Sequence, residues 1–350
     1  MTNKKIAVLA SGANGSVIAA DLIEAGLDVT MIDMWGEHIE AMRTNGLKIT
    51  NREDELNVKV NAYHLSDICT LDVKFDIVLL VSKAYDTKWL TEFIKPYLAD
   101  DGLVIGVQNA MTAEMIADIV GVERTMGIVV ELASQMFEPG VIHRSTKKEG
   151  TWFGVGAFDP AQEGRVEEIA ELFRNAGRVE TIEDILSAKW VKLIVNNMVM
   201  GSMAILGGSP GQVLKDNGKE YEQRARKWML KAGEEALAAG QSLNYKVVPV
   251  FGLKPEDVKN TNSLLETLLD TIIEHVGPSA INTTLQDHMK GRLGEDEMIA
   301  GLVAEERKKN GGIAPASDAI VELSRQIHSG ELEPGFSNLD LVEQRLAGLN

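Results

Sequence analysis

The feature that most constrains this chain lies between residues 6 and 33, where the sequence reads strand, glycine turn, helix, strand. Ile6-Ala7-Val8-Leu9-Ala10 is a short apolar run of β type, and residues 17–25 carry apolar side chains at helical spacing before Gly26 closes the segment. Val29-Thr30-Met31-Ile32-Asp33 is a second strand, followed by a helix through 39–44 that Gly46 can stop. Strand, crossover helix and strand make a βαβ unit, the building block of a parallel sheet.

The turn reads Ala10-Ser11-Gly12-Ala13-Asn14-Gly15, the dinucleotide pattern G-x-G-x-x-G with alanine at its first glycine. Gly12 lets backbone N–H groups approach a pyrophosphate, whose charge is favoured by the positive end of the helix starting near Gly15. The plainer reading is a glycine turn that only lets helix and strand pack. Context favours the first: Asp33 ends the second strand 18 residues beyond Gly15, where an acid accepts from ribose hydroxyls. A carboxylate there hydrogen-bonds a free 2′-hydroxyl and repels a 2′-phosphate, so NADH is favoured over NADPH. Residues 34–37 supply no arginine for a phosphate, while Lys83, after the 76–81 strand, brings a positive charge that keeps NADPH open. Asn109 follows the strand ending at Val107, where open α/β sheets bind ligands. It suits a contact to nicotinamide or substrate, or an ordinary loop role.

The alternation continues with a half-exposed strand at 58–63, an apolar strand at 76–81, a helix at 89–98 and a buried strand at 103–107. Residues 127–155 change to strands without helices between them, with Pro139-Gly140 marking a turn between Val129-Val130 and Val141-Ile142. A helix at 165–176 and a strand at 179–182 end this part. Beyond it, 187–205, 220–239, 263–275, 297–310, 317–329 and 339–346 all read as helices. The expected fold class is α/β: a Rossmann-type parallel-sheet domain, residues 1–182, followed by a mainly helical domain, 183–350.

With 35 Lys and Arg against 52 Asp and Glu, the net charge is −17, which repels nucleic acid and anionic membranes. The one short basic cluster, Arg144, Lys147 and Lys148, lacks interleaved aromatics and reads as a solvated loop. The single cysteine, Cys69, cannot form an internal disulfide and reads as a buried small apolar residue. The first apolar run breaks at Ser11 and Gly12, too early for a signal-peptide core, and no run approaches the ~18 residues of a membrane span. A soluble cytoplasmic protein is the expectation, its assembly open between monomer and homodimer. None of the six histidines has metal-ligand spacing, so no metal is expected.

Trp190-Val191-Lys192-Leu193-Ile194-Val195-Asn196-Asn197 lies in an otherwise apolar helix. Lys192 and Asn196 are four apart and share one face. An ammonium there either snorkels to water or works. When hydride reaches a carbonyl carbon, negative charge develops on oxygen, which a positioned ammonium stabilises and then protonates. Lys189, three residues earlier on nearly the same face, is a competitor that spacing does not dismiss. Farther on, Glu295 either belongs to the site or, with Asp296 and Glu297, only complements the dipole of the next helix.

Taken in order, the N-terminal turn, Val81-Ser82-Lys83-Ala84, Gln108-Asn109-Ala110, Pro139-Gly140-Val141-Ile142-His143, Trp190-Val191-Lys192-Leu193 with Asn196, and Leu285-Gln286-Asp287 followed by Glu295 resemble the ketopantoate reductase (2-dehydropantoate 2-reductase) family over nearly the whole chain. The resemblance implies NAD(P)H-dependent reduction of a 2-keto acid to a 2-hydroxy acid in a cleft between a Rossmann and a helical domain. It places the lysine general acid on Lys192, the partner asparagine on Asn196, the substrate-orienting glutamate on Glu295, the cofactor-side asparagine on Asn109 and a serine near the substrate carboxylate on Thr283. The chain departs from the pattern at Ala10, at Asp33-Met34, and at Met200, where many members carry a second asparagine. The stretch 241–278 is longer than in compact members and suits a lid, an interface helix or a substrate wall. Two rivals remain: a β-hydroxyacid dehydrogenase of the phosphogluconate type, which shares the lysine and asparagine spacing, and a regulator that binds NADH without turnover.

Overall fold

The structure, a computed structural model, describes residues 4–347 apart from 52, 252, 255, 257 and 259–262. The chain divides into two compact units, Met1–Leu186 and Ser187–Asn350. Described strands are β1 (Lys5–Leu9), β2 (Asp28–Asp33), β3 (Leu47–Thr50), β4 (Glu55–Val58), β5 (Asn61–His64), β6 (Phe75–Leu80), β7 (Leu98–Gly106), β8 (Thr125–Glu131), β9 (Ser134–Glu138), β10 (Val141–Arg144), β11 (Trp152–Gly156) and β12 (Arg178–Thr181). Helices of the first unit are α1 (Ala13–Glu24), α2 (Gly36–Asn45), α3 (Thr87–Ile94), α4 (Ala113–Val120) and α5 (Val166–Arg174).

Eight strands form one sheet in the order β12-β11-β8-β7-β6-β1-β2-β5, with β1 parallel to both β2 and β6. The continuous apolar run of β1 follows from burial on both faces. Ile6 and Val8 pack into one core with Val17, Ile18 and Leu22 of α1. Ala7 and Leu9 point the other way, into a core with Leu90, Ile94 and Ile116 of α3 and α4. A second sheet, β4-β3-β10-β9, completes the unit.

Several expectations are corrected here. The 58–63 strand is two strands in different sheets, β4 ending at Val58 and β5 beginning at Asn61. Pro139-Gly140 joins β9 to β10, whereas Val129 and Val130 lie in β8, paired with Gly154 and Phe153 of β11. The helix expected over 89–98 ends at Ile94, and a 3₁₀ turn holding Pro96 hands the chain to β7, since proline supplies no N–H to prolong the helix. Arg144 is no solvated residue: 7% exposed, it donates through Nη1 to both oxygens of Asp21 at 3.0 and 2.8 Å and so ties β10 to α1. Cys69 is exposed.

The second unit is helical: α6 (Ile185–Ile205, begun at the end of the first unit), α7 (Lys219–Ser242), α8 (Leu264–Val276), α9 (Thr283–Met289), α10 (Leu302–Lys309), α11 (Pro315–Ser329) and α12 (Asn338–Ala347). Trp190 fixes α6 against α7: its Nε1 donates to Ala236 O at 2.9 Å, and the ring lies where a Cβ at Gly240 would come within 2.1 Å of that nitrogen. Two turns farther, Asn197 Nδ2 donates to Ala232 O at 2.9 Å and Ser317 Oγ at 3.0 Å. Buried Glu235 of α7 accepts from Ala316 N and Ser317 N at 2.9 and 2.8 Å, serving two of the orphan donors that open α11. Of the 241–278 stretch, residues 252, 255, 257 and 259–262 lie outside the described residues. Among the described residues no helix is long and apolar enough to cross a membrane.

Candidate functional site

In the first unit the carboxyl ends of β1, β2, β6 and β7 share one edge because these strands are parallel. The chain runs from β1 outward to β2 and β5, then returns to β6 on the other side of β1. That reversal opens a crevice beside β1, the usual ligand position of open α/β sheets. At this edge stand Ala10 to Gly15, Asp33, Ser82-Lys83 and Gln108-Asn109.

The three glycine positions of the turn separate by role. Ala10 has φ of 62°, the left-handed conformation that glycine normally supplies, so alanine holds the tight turn at some backbone cost. A Cβ on Gly12 would meet nothing within 4 Å, leaving open space in front of the first turn of α1. Gly15 is the packing glycine: a Cβ there would meet Ala10 O at 3.1 Å and Val8 Cγ1 at 3.3 Å. The N–H groups of Ala13, Asn14 and Gly15 have no partner inside the helix they begin. The Asn14 side chain is committed elsewhere, accepting from Ser134 Oγ at 2.6 Å, so what it presents is its backbone. Ser11 Oγ is buried without a hydrogen-bond partner. An open cradle, free N–H groups and an unsatisfied hydroxyl fit the pyrophosphate of a dinucleotide.

A buried histidine buttresses this turn. His38 Nε2 donates to Ser11 O at 3.1 Å, and its Nδ1 accepts from Gly140 N–H at 2.9 Å, the neutral tautomer. Burial pushes His38 below the usual imidazole range, against the opposing charge of Asp33. Asp33 itself is 8% exposed, and its Oδ1 accepts from Trp35 N–H at 2.8 Å, which fixes the carboxylate at the end of β2. Gln108 was missed as an organiser: its Nε2 donates to Ser82 O at 3.1 Å, Ser82 Oγ at 2.9 Å and Thr87 Oγ1 at 3.0 Å. It therefore joins the loop of Lys83 to the loop of Asn109. Its one signal in the sequence is a long amide ending an apolar strand.

In the second unit the burial of Trp190 and Asn197 against α7 sets the rotation of α6, leaving Lys192 and Asn196 on another row. Lys192 is half-buried, with Nζ 4.9 Å from the centroid of the Phe251 ring. Asn196 is 3% exposed. Lys189 is 4% exposed, and burial pushes its ammonium down to about 8. Burial makes Lys189 a readier proton donor than an ordinary lysine, while Lys192 has the better access.

Two later segments are tied to the same helix. Asn282 caps α9, accepting from Leu285 N–H at 2.9 Å, while its Nδ2 donates to Met200 O at 3.1 Å. Thr283 is thereby held beside α6, with its Oγ1 buried and without a partner. The Asp296 carboxylate lies against α6 too, where a Cβ on Gly201 would come within 2.6 Å of Oδ1. Glu295 is 3% exposed and Asp296 5%, whereas Glu297 faces water and pairs with Arg325. Dipole complementation alone suits Glu297 and leaves two buried carboxylates unexplained. A π-helical turn, Glu297–Gly301, follows them, an irregularity that is frequent at functional sites. Among the described residues no cluster of three metal-ligating side chains occurs.

Residues 6–157 match the family model for ketopantoate reductase PanE/ApbA, and residues 184–328 match that for the ketopantoate reductase PanE/ApbA C terminal. A 2-dehydropantoate 2-reductase of Pyrococcus horikoshii is 29% identical over 311 residues, covering 87% of this chain and 91% of the relative. One from Mesorhizobium japonicum is 27% identical, covering 92% and 97%. Among solved structures, D-mandelate dehydrogenase with NADH and anilino(oxo)acetate superposes with a TM-score of 0.81 at 20% identity, covering 93% of this chain and 99% of that one. A PanE/ApbA family ketopantoate reductase from Ralstonia eutropha gives 0.75 at 24%, with the same coverage. With both units matched, the chain belongs to the ketopantoate reductase family of oxidoreductases.

Proposed function

We propose that this enzyme reduces 2-dehydropantoate to pantoate, with NADH preferred and Lys192 as general acid. The observation that carries the reading is the grouping on α6: an accessible ammonium and an amide on one row, with the unpartnered hydroxyl of Thr283 and the buried Glu295-Asp296 turn tied to the same helix. When bound, the dihydronicotinamide supplies the hydride for the carbonyl carbon. Residues 1–182 hold the cofactor, through the backbone of Ser11 to Gly15 at the pyrophosphate and Asp33 at the ribose. Residues 183–350 hold the keto acid and the acid catalyst.

Lys192 places an N–H toward the substrate C2 oxygen, stabilises the charge that develops there and gives up its proton, leaving a neutral amine and an alcohol. Water restores the proton on the half-exposed side chain. Asn196 donates to the same oxygen or holds the ammonium, Thr283 donates to the substrate carboxylate, and Asn109 orients the nicotinamide or the substrate. Glu295 accepts from the ammonium or from a substrate hydroxyl. Acid assistance of this kind is worth about 100-fold to 10,000-fold in rate. The NADH preference rests on the buried carboxylate of Asp33, and D-mandelate dehydrogenase, of the same fold, is a protein whose structure holds NADH.

A second substrate reading has one observation of its own. Met200, one turn beyond Asn196, is 6% exposed and cannot hydrogen-bond a substrate hydroxyl through its side chain as an amide would. That favours a branched or aromatic 2-keto acid. Following NADH and NADPH oxidation by 2-dehydropantoate and by branched and aromatic 2-keto acids separates the two. The highest kcat/KM is expected for 2-dehydropantoate with NADH. Turnover of none of them, or oxidation of 3-hydroxy acids alone, defeats the proposal.

A further inference from the structure

We infer that Phe251 is a positioning residue that fixes where Lys192 presents its proton. The inference rests on the reading of Lys192 as general acid. Phe251 lies in the 241–278 stretch, and three observations set it apart.

The first is its backbone. Val250 O accepts from Leu253 N–H at 3.0 Å, closing a turn with Phe251 at its second residue, and φ there is 59°. That position of a turn with positive φ ordinarily takes glycine, asparagine or aspartate, because the β-carbon of other residues crowds the neighbouring carbonyl. A bulky aromatic is the least expected choice, so local preference does not explain it. Residues held in this way cluster where the surroundings require them. The second is burial: the ring is 4% exposed, so the turn carries it inward. The third is its contact, for the ring centroid lies 4.9 Å from Lys192 Nζ, inside the ~6 Å reach of a cation–π interaction.

The chemistry explains why a ring belongs there. A lysine ammonium is a compact charge on a flexible four-carbon stem, with three rotatable donors. The negative face of an aromatic ring attracts it without accepting its proton, whereas a carboxylate in the same place would compete for that proton. The ring also displaces water from one side of the ammonium, which strengthens its attraction to charge developing on a substrate oxygen. Its effect belongs to kcat, because the attraction grows as that charge forms.

The test compares full-length variants in NADH-dependent reduction. Phe251→Leu keeps an apolar side chain and removes the aromatic face, and kcat should fall about 10-fold, between the values of an exposed and a desolvated cation–π contact. KM for the keto acid and Kd for NADH should change less than about 2-fold, and Phe251→Tyr should restore kcat to within about 3-fold of wild type. In a Lys192→Ala background, Phe251→Leu should alter kcat by less than about 2-fold, because the ring acts through the ammonium. Should the leucine variant not fold, Phe251→Met takes its place with the same expectations. Unchanged kcat in the leucine variant, or equal losses in the leucine and tyrosine variants, overturns the inference while leaving Lys192 as the acid. A mild effect of Lys192→Ala overturns both.

Discussion

In the proposed function the first unit meets its ligand at the sheet edge mostly through backbone N–H groups of residues 13–15, shaped by φ angles and by the absence of side chains. In the same proposal the second unit uses side chains, Lys192 and Asn196, on α6, a helix whose other faces are taken up by Trp190, Asn197 and the core. The first kind of site tolerates replacement so long as the backbone path survives, as alanine at position 10 shows with its φ of 62°. The second is expected to tolerate less, since there the side chain itself supplies the chemistry. Binding and chemistry should therefore fail separately.

The sharpest test of that separation is at the two lysines. Lys192→Ala should lower kcat by at least about 100-fold and leave the Kd of NADH, followed by fluorescence, nearly unchanged. Lys189→Met should keep most of the activity, since its burial points to a structural place in α6. The reverse result would place the proton donor at Lys189 instead.

Asp33→Ala asks whether the carboxylate proposed for the ribose acts on choice of cofactor alone. NADH affinity should fall by about 10-fold as hydrogen bonds to the ribose are lost, NADPH affinity should rise as repulsion is relieved, and kcat at saturation should hold. NADPH binding as tightly as NADH in the wild type would end the argument.

The buttress under the backbone site can be titrated. Because burial lowers His38 in the folded state, the unfolded chain takes up a proton first as pH falls below about 6.5, and stability is lost from there downward. His288, pushed down to about 4 by burial, adds in the same direction. For His38 alone the slope is at most about 1.4 kcal/mol per pH unit, and His38→Gln should remove that share from urea-unfolding curves measured between about pH 7 and 5.

The smallest effect is expected at Ala10. Ala10→Gly relieves about 1–2 kcal/mol of left-handed crowding but restores about 0.4–1 kcal/mol of unfolded-chain entropy, so thermal unfolding should show a gain between about 0 and about 1.6 kcal/mol with NADH affinity unaltered. A clear loss of stability would show that the alanine methyl group packs usefully.

What the sequence made legible follows the same division between local and distant causes. The first βαβ unit and the helices of the second unit could be read because strand runs, helical spacing and glycine stops are written within a dozen residues. The break between β4 and β5 could not, because alternation continues through Lys59 and Val60 while the two strands join different sheets. Arg144 was misread for a related reason: its partner, Asp21, lies 123 residues away. Lys192 stood out as a charge in an apolar run, and Glu295 came with the resemblance, though only burial separates it from its neighbour Glu297. Phe251 gave no signal, since a phenylalanine is not a residue that announces such a turn and its contact with Lys192 spans 59 residues of sequence.

The contact between Trp190 and Gly240 also limits how such an enzyme can change over evolutionary time. With the indole filling the place of a side chain at 240, α6 can neither roll nor slide along α7 without breaking the hydrogen bond to Ala236. In the proposed function a new substrate is then met by exchanging individual side chains around a helix whose aim is unchanged, at Met200 and Thr283 first. A chain carrying this pair would change what it recognises while the direction from which Lys192 is proposed to deliver its proton stays the same.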